Sequence, residues 1–331
     1  MLNIVSDFIK SILPVKKKTT PSGWTSFSGP CCVHNGESLD TRGRAGLTAN
    51  PDGSVSFHCF NCNFKASYQP GRHLTFKFRK LLKWLGADDT DIKRLVIEAI
   101  RVRELVAPEE VKAEAEEEKI DFKARDLPED AENLVAIDYV HPALEYCVAR
   151  KIDIAKYAFY ATKQEQYNLH RRVIIPCVWQ GKTIGYIGRG LDVGIKPKYY
   201  NQFEPNFVFN TNNQLPDSKF VVVCEGPFDA MSIDGVAVMH NECNETQADI
   251  IESLGREVIV VADRDRAGAK MINNAIEYGW SVSFPVWLET CKDVNEAVVK
   301  YGKLFVLVSI LQARESSALK IKLLSKRMFD K

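Results

Sequence analysis

The chain lacks what would take it into or across a membrane. Among its 331 residues no apolar run approaches the roughly 18 that a transmembrane helix needs. The opening Met1-Leu-Asn-Ile-Val-Ser-Asp7 has neither the basic start nor the long apolar stretch of a secretory signal. A cytoplasmic location with no membrane partner is therefore expected. There is no internal repeat, and almost no net charge, +1 for the whole chain. That near-neutral total conceals an asymmetry. Residues 1–103 carry sixteen Lys/Arg against eight Asp/Glu, and residues 104–132 carry four against twelve. A basic head suits a polyanion such as nucleic acid, although a solvated surface of ordinary charge would read the same way.

What is present is an ordinary globular composition, long enough for two or three domains. Residues 21–75 are rich in Gly, Ser, Asn, Cys and His, with short strand-like runs such as Ser54–His58. So small a core needs outside help, which a metal supplies. Helices are expected over 76–86, with Phe78, Leu81, Leu82 and Leu85 on one face and Gly86 as the stop, and over 91–104. Glu110–Glu118, between Pro108 and Pro128, reads as an acidic linker, extended by repulsion or transiently helical. Beyond it, helices at 138–150 and 153–159 precede strands at 172–176 and 182–187. Strands near 220–224, 236–239, 258–262 and 282–287 then alternate with helices near 229–234, 246–254 and 267–278. That alternation means a parallel sheet covered by helices. Residues 301–331 read as mainly helical. The expected domains are 1–103, an acidic linker 104–133, a basic α+β subdomain 134–218, a Rossmann-like α/β core 219–300 and a tail 301–331.

The chemistry concentrates at two acidic signatures. Val221-Val-Val-Cys224 runs into Glu225-Gly-Pro-Phe-Asp229-Ala, and Val258-Ile-Val-Val-Ala262 runs into Asp263-Arg-Asp265-Arg-Ala-Gly268. Each is an apolar strand ending in carboxylates before a helix, which sets Glu225, Asp263 and Asp265 at the carboxyl edge of the sheet, where open α/β sheets bind ligands. Carboxylates gathered there repel unless a cation joins them, and hard oxygen ligands suit Mg²⁺. Metal-assisted phosphoryl transfer is the expected reaction. Asp229 is a candidate for the same site, equally well read as a helix cap, and Asp293 is a second candidate for which the cap reading is the stronger. Upstream, Arg172 at a strand start, Arg189 between glycines, and Lys196 and Lys198 before an aromatic pair offer cations for phosphates.

The nine cysteines divide by position. Five, Cys147, Cys177, Cys224, Cys243 and Cys291, are scattered, mostly in apolar runs, and read as reduced core residues. Cys31-x₂-His34 and Cys59-x₂-Cys62 form two knuckles with twenty-four residues between His34 and Cys59. Four such ligands make a closed, structural Zn²⁺ site. Cys32 is the alternative to Cys31, and His58 to His34. The surrounding Phe60, Phe64, Tyr68, Lys65, Arg72, Lys77 and Arg79 mix aromatic and basic character as single-stranded nucleic acid requires. For Phe57 and Phe60 a place in the small core is the preferred reading.

Taken in this order, the motifs resemble the DnaG-type DNA primases. Cys31, His34, Cys59 and Cys62 resemble their zinc-binding domain, and Glu225–Ala230 and Asp263–Gly268 their two TOPRIM motifs. Arg172–Pro176, Ile187–Arg189 and Pro197–Tyr199 resemble the basic motifs of the polymerase core. The resemblance covers roughly residues 25–300 and is most like the compact primases of large tailed bacteriophages, which would place the protein in the host cytoplasm. It implies synthesis of short RNA primers on single-stranded DNA from ribonucleoside triphosphates. Glu225, Asp263 and Asp265 would hold Mg²⁺, or Mn²⁺ in its place, with Zn²⁺ in the N-terminal domain and a replicative helicase as partner. The chain carries no P-loop G-x₄-G-K-[ST] and so no helicase part. Cys-Phe-Asn-Cys and Asp40–Arg44 depart from the commonest cellular form. The rivals are another TOPRIM enzyme, a nuclease or topoisomerase, and a non-catalytic zinc module that binds single-stranded DNA and recruits a helicase.

Overall fold

The computed structural model describes residues 3–72, 74–105, 120–136, 141–162, 168–215, 217–265 and 268–329. The acidic run Glu110–Glu118 lies outside the described residues. The chain divides into two compact units, Met1–Glu118 with Glu252–Gly255, and Lys119–Ile251 with Arg256–Lys331. No helix among the described residues is long and apolar enough to cross a membrane.

The first unit is built on an antiparallel sheet in sequential order: β1 (Lys18–Thr19), β2 (Thr25–Phe27), β3 (Ala45–Ala49), β4 (Val55–Cys59) and β5 (Lys65–Tyr68). In β4 the alternation places Val55, Phe57 and Cys59 inward and Ser56 and His58 outward. Three helices complete the unit: α1 (Ile4–Ile12), α2 (Phe76–Trp84) and α3 (Asp89–Leu105). Helix α2 begins where the Thr75 side chain accepts from the Phe78 N–H. Its face Phe76, Phe78, Leu81 and Leu82 is buried. Val5 and Ile9 of α1 and Leu95 and Ala99 of α3 join Phe27, Leu47 and Phe57 in one core.

The second unit contains two five-stranded sheets. The antiparallel one runs β10-β9-β8-β7-β6, with β6 (Ala131–Asn133), β7 (Tyr160–Thr162), β8 (Arg172–Trp179), β9 (Lys182–Gly190) and β10 (Tyr199–Phe203). Helix α4 (Pro142–Ala149) carries Pro142 in its first turn and is capped by His141. The expected helix at 153–159 does not form. The Asp153 carboxylate takes the N–H groups of Ala155 and Lys156 in a turn, and the chain then extends into β7 with Phe159 buried.

The other sheet runs β12-β11-β13-β14-β15, with β11 (Phe220–Cys224), β12 (Val236–Ala237), β13 (Glu257–Val260), β14 (Ser281–Ser283) and β15 (Arg314–Glu315). β12, β11, β13 and β14 are parallel. Between and after them come α5 (Pro227–Ile233), α6 (Glu245–Ser253), α7 (Gly268–Tyr278), α8 (Val294–Tyr301), α9 (Lys303–Gln312) and α10 (Ala318–Phe329). The continuous apolar run Val221–Cys224 is buried along its length, as a sheet covered on both faces demands. The tail is mainly helical, as expected, in α9 and α10. β15 interrupts it and pairs antiparallel with β14, Val282 opposite Glu315. At the other edge, β12 is bridged by Phe209, which exchanges both backbone hydrogen bonds with Ala237.

Candidate functional site

In the first unit, four sulfurs converge. Cys31, Cys32, Cys59 and Cys62 place their Sγ atoms within 4.8 Å of one another, with Cys31–Cys62 and Cys32–Cys59 each at 3.5 Å. A tetrahedron with metal–sulfur bonds of about 2.3 Å has edges of about 3.8 Å, so the donor set fits a thiolate-ligated metal. The expected ligand set is corrected at one position: Cys31 and Cys32 both belong, and His34 does not. Cys31 flanks the short 3₁₀ turn Cys32–Asn35, which brings both sulfurs inward. It turns the His34 ring outward onto Trp84, stacked at 4.8 Å and 5°. His58 is not a ligand either; its Nε2 meets Asn63 Oδ1 at 3.1 Å.

The local chain is shaped around these sulfurs. A Cβ at Gly29 would sit 2.9 Å from Cys59 Sγ, so glycine lets the segment after β2 pass the sulfurs. Burial pushes the Cys31 and Cys32 thiols up, Cys32 to about 11. Burial also acts on Cys59, but the N–H groups of Cys62 and Asn61 bring it below its ordinary value. Asp40 fastens the neighbouring loops: its buried carboxylate accepts from the N–H groups of Gly29, Arg42 and Arg44 at 2.9, 3.0 and 2.7 Å. Burial opposes its ionisation, but those amides hold the carboxyl below its ordinary value.

The aromatic residues divide differently from expectation. Phe57 and Tyr68 are buried, and Phe64 packs against that core. Phe60, expected inside, is 65 % exposed because it stands on the turn between Cys59 and Cys62. It forms a surface group with His58 at 4.1 Å and Trp24 at 6.1 Å.

In the second unit, β11 and β13 are parallel neighbours, and β12 lies on the far side of β11. The chain therefore reverses direction of travel between β11 and β13, which opens a crevice beyond their carboxyl ends. Glu225 leaves β11 there, and Asp263 follows β13. The Asp263 N–H donates to Glu225 Oε1 at 3.1 Å. Gly268 closes the crevice floor: a Cβ on it would meet the Asp263 carbonyl at 2.3 Å and Glu225 Oε1 at 3.2 Å. Asp265 accepts the Gly268 N–H at 3.1 Å as α7 begins.

Burial pushes Glu225 up to about 7, with Asp265 and Asp229 adding repulsion against the Asp263 N–H. Burial followed by the charges of Glu225, Asp293 and Asp265 pushes Asp263 up to about 7 as well. Asp229 is 7 % exposed, and burial and Asp293 push it well above its ordinary value. Asp229 does not cap its own helix: Gly226 is the cap residue of α5, and Asp229 Oδ1 instead accepts from the Asn295 N–H of α8 at 2.9 Å. Asp293 caps α8 through the Glu296 N–H at 2.8 Å.

Among the described residues only the four cysteines bring three or more ligand atoms within 4.8 Å of one another. The donors at the sheet edge are carboxylate oxygens, hard ligands of which a hydrated Mg²⁺ takes one or two directly.

Cations stand beside this edge. Arg189 is 9 % exposed; its Nε donates to Tyr146 Oη at 3.0 Å, and its guanidinium lies 4.8 Å over the Tyr199 ring. The Lys198 ammonium is 5.8 Å over the same ring, and burial together with Arg189, Lys292 and Arg150 pushes it down. Arg172 departs from expectation. It is 3 % exposed, and its guanidinium donates to the carbonyls of Gly188 and Lys198 at 3.0 and 3.4 Å and of Pro197 at 2.7 Å, so it shapes the Lys198 turn from within. Lys196 is exposed on that turn. Sequence reading missed Arg150, whose guanidinium lies 4.8 Å over Tyr146 and 5.3 Å over Phe228. An arginine at the end of an ordinary helix gives no local signal of such a place.

Residues 222–298 match the family model described as Toprim-like. A DNA primase of Aquifex aeolicus is 26 % identical over 152 residues, which cover 40 % of this chain and 30 % of that protein. Among solved structures, the zinc-binding and RNA polymerase domains of the Aquifex aeolicus primase superpose with a TM-score of 0.46 at 18 % identity, over 98 % of this chain and 88 % of that one. A DnaG catalytic core gives 0.47 at 18 %, covering 58 % and 79 %. A DnaG primase catalytic domain bound to single-stranded DNA gives 0.47 at 19 %, covering 58 % and 78 %. The chain thus spans under a third of the length of the curated primase it matches, 30 % of it.

Proposed function

We propose that this chain is a DNA primase, which joins ribonucleotides into short RNA primers on single-stranded DNA. The observation that carries the reading is the meeting of opposite charges at one sheet edge. Glu225 and Asp263 stand at the ends of adjacent parallel strands with Lys292 acting on both, while Arg150 acts on Asp229 and Lys198 meets Asp293 with Arg189 beside it. The match of residues 222–298 to the Toprim-like model and the similarity to a primase sequence support it.

In this reading Glu225 and Asp263 hold Mg²⁺ or Mn²⁺, with Asp265 and Asp293 at the rim. Asp229 supports them from beneath through α8. The divalent ion, when bound, neutralises charge that builds on the phosphate during transfer. Arg150, Arg189 and Lys198 orient the triphosphate so that a primer 3′-hydroxyl faces its α-phosphate in line with departing pyrophosphate. Arg172 sets the turn that presents Lys198. The four cysteines hold Zn²⁺ as a structural ion, and the face of Trp24, His58 and Phe60 stacks template bases. The domains proposed from sequence, including the acidic linker, fit this division of labour. A replicative helicase is the expected partner, and the compact bacteriophage form is the subtype that the motifs favour.

The test is incubation with single-stranded DNA, labelled ribonucleotides and Mg²⁺, for the wild type and Asp263→Ala. Short RNA from the wild type alone supports the proposal. Degradation of the DNA without nucleotides would instead make the chain a nuclease, and absence of product across varied templates, with the cognate helicase supplied, rejects primer synthesis.

A further inference from the structure

Asn295 is 1 % exposed and sits in the first turn of α8. Its side chain clasps one arginine from two directions. Arg150 Nη1 donates to Asn295 Oδ1 at 2.8 Å, and Asn295 Nδ2 donates to the Arg150 carbonyl at 2.9 Å. Its backbone N–H donates to Asp229 Oδ1 at 2.9 Å. The start of α8 does not require this side chain, because Asp293 already serves as the cap. Both ends of a buried amide are thus given to one half-buried arginine, 145 positions away in sequence. Stacking on Tyr146 and Phe228 fixes the plane of that guanidinium, and the amide fixes its place within the plane.

We infer that Asn295 is a positioning residue: it holds the Arg150 guanidinium beside the carboxylate edge, so that the cation meets a nucleotide's phosphates already in place. This rests on the reading of that edge as a nucleotidyl-transfer site. Loss of the clasp leaves the charge and frees the guanidinium to swing away, which lowers phosphate affinity. The ion held by the carboxylates is untouched, because the N–H of residue 295 remains on Asp229 in any substitution except proline.

The experiment uses the full chain as wild type, Asn295→Ala, Arg150→Ala, the double variant and Arg150→Lys. Two affinities are measured: that for the Mg²⁺ complex of a fluorescent GTP analogue, by titration, and that for Mn²⁺ alone, by electron paramagnetic resonance. Asn295→Ala is expected to weaken nucleotide binding about tenfold, as loss of hydrogen bonds to a charged group does. The double variant is expected to bind no worse than Arg150→Ala, and Mn²⁺ affinity to stay within about twofold throughout. Arg150→Lys should lose as much as Arg150→Ala, because lysine carries the charge without the planar fork. Melting curves confirm folding; should Asn295→Ala not fold, Arg150→Lys, which leaves Asn295 intact, carries the test. Full additivity of the two alanine substitutions, or wild-type binding by Arg150→Lys, overturns the inference and leaves the site reading standing. If alanine at Arg150, Arg189 and Lys198 each leaves nucleotide affinity unchanged, the site reading itself falls and the inference with it.

Discussion

Between Gly29 and Cys62 four thiols are gathered by two tight turns, and the sulfurs sit in contact, three of their residues buried. Between Phe220 and Glu296 the acidic groups come from three separate chain segments, carried to one edge by parallel strands, and all but the buried Asp229 are half open to solvent. Both places collect groups that repel when ionised. The first has no room for anything but a cation, so its chemistry ends once the cation is bound. The second is only partly closed, with Glu225, Asp263, Asp265 and Asp293 half-buried, and Arg150 acts on Asp229 there. Closed geometry suits an architectural metal, and open geometry suits the turnover proposed above.

Removing the metal should separate the two most strongly. A thiol-selective chelator, or Cys59→Ser, should destabilise residues 25–70 by several kcal/mol, on the order of what structural zinc contributes to small folds. Hydrogen exchange should rise in β2–β5 while β11–β14 keep their protection; equal loss in both would break the contrast. Next in size, Glu225→Gln should lower primer synthesis by more than about a hundredfold while melting stays unchanged or rises, since a carboxyl that burial pushes up to about 7 opposes its own ionisation in the fold.

Asp40 sharpens the comparison from the other side. Its carboxyl is held below its ordinary value, so its ionised form stabilises the fold. That contribution is complete above its unfolded value near 3.8 and is lost as pH falls through the lower folded value. Asp40→Asn should therefore cost about 1–3 kcal/mol at pH 7. In melts taken from pH 6 down to pH 3 its gap from the wild type should narrow. The smallest effect on stability belongs to Phe60→Ala, within about 0.5 kcal/mol because the ring is exposed. The same change should weaken single-stranded DNA binding by about 1–3 kcal/mol if a base stacks there; unchanged affinity by fluorescence anisotropy would remove Phe60 from the template face.

Local pattern made much of this legible. The strand Val221–Cys224 ending at Glu225, the α2 face of Phe78, Leu81 and Leu82, and the knuckle Cys59–Cys62 all follow from periodicity or spacing within a few residues. What sequence reading missed depends on distant partners. His34 points away from the sulfurs onto Trp84, fifty residues on. Arg172 reads as a ligand cation until β9 and the 196–198 turn close around it. Arg150 meets Asn295, 145 positions on, and the rings of Tyr146 and Phe228. The 153–159 segment starts as a helix does, with Asp153 accepting from the N–H groups of Ala155 and Lys156, yet it stops after one turn where Phe159 is buried and β7 begins.

The two-residue strand β15 has a meaning for solubility. The parallel sheet would otherwise finish at β14 with unpaired amides facing outward, a ready template for strand addition by a neighbouring molecule. Arg314 and Glu315 cover that border with an antiparallel rung, and their charges discourage any further strand from joining. A truncation before Arg314 would spare every carboxylate at the crevice and still leave a protein prone to self-association through its exposed margin.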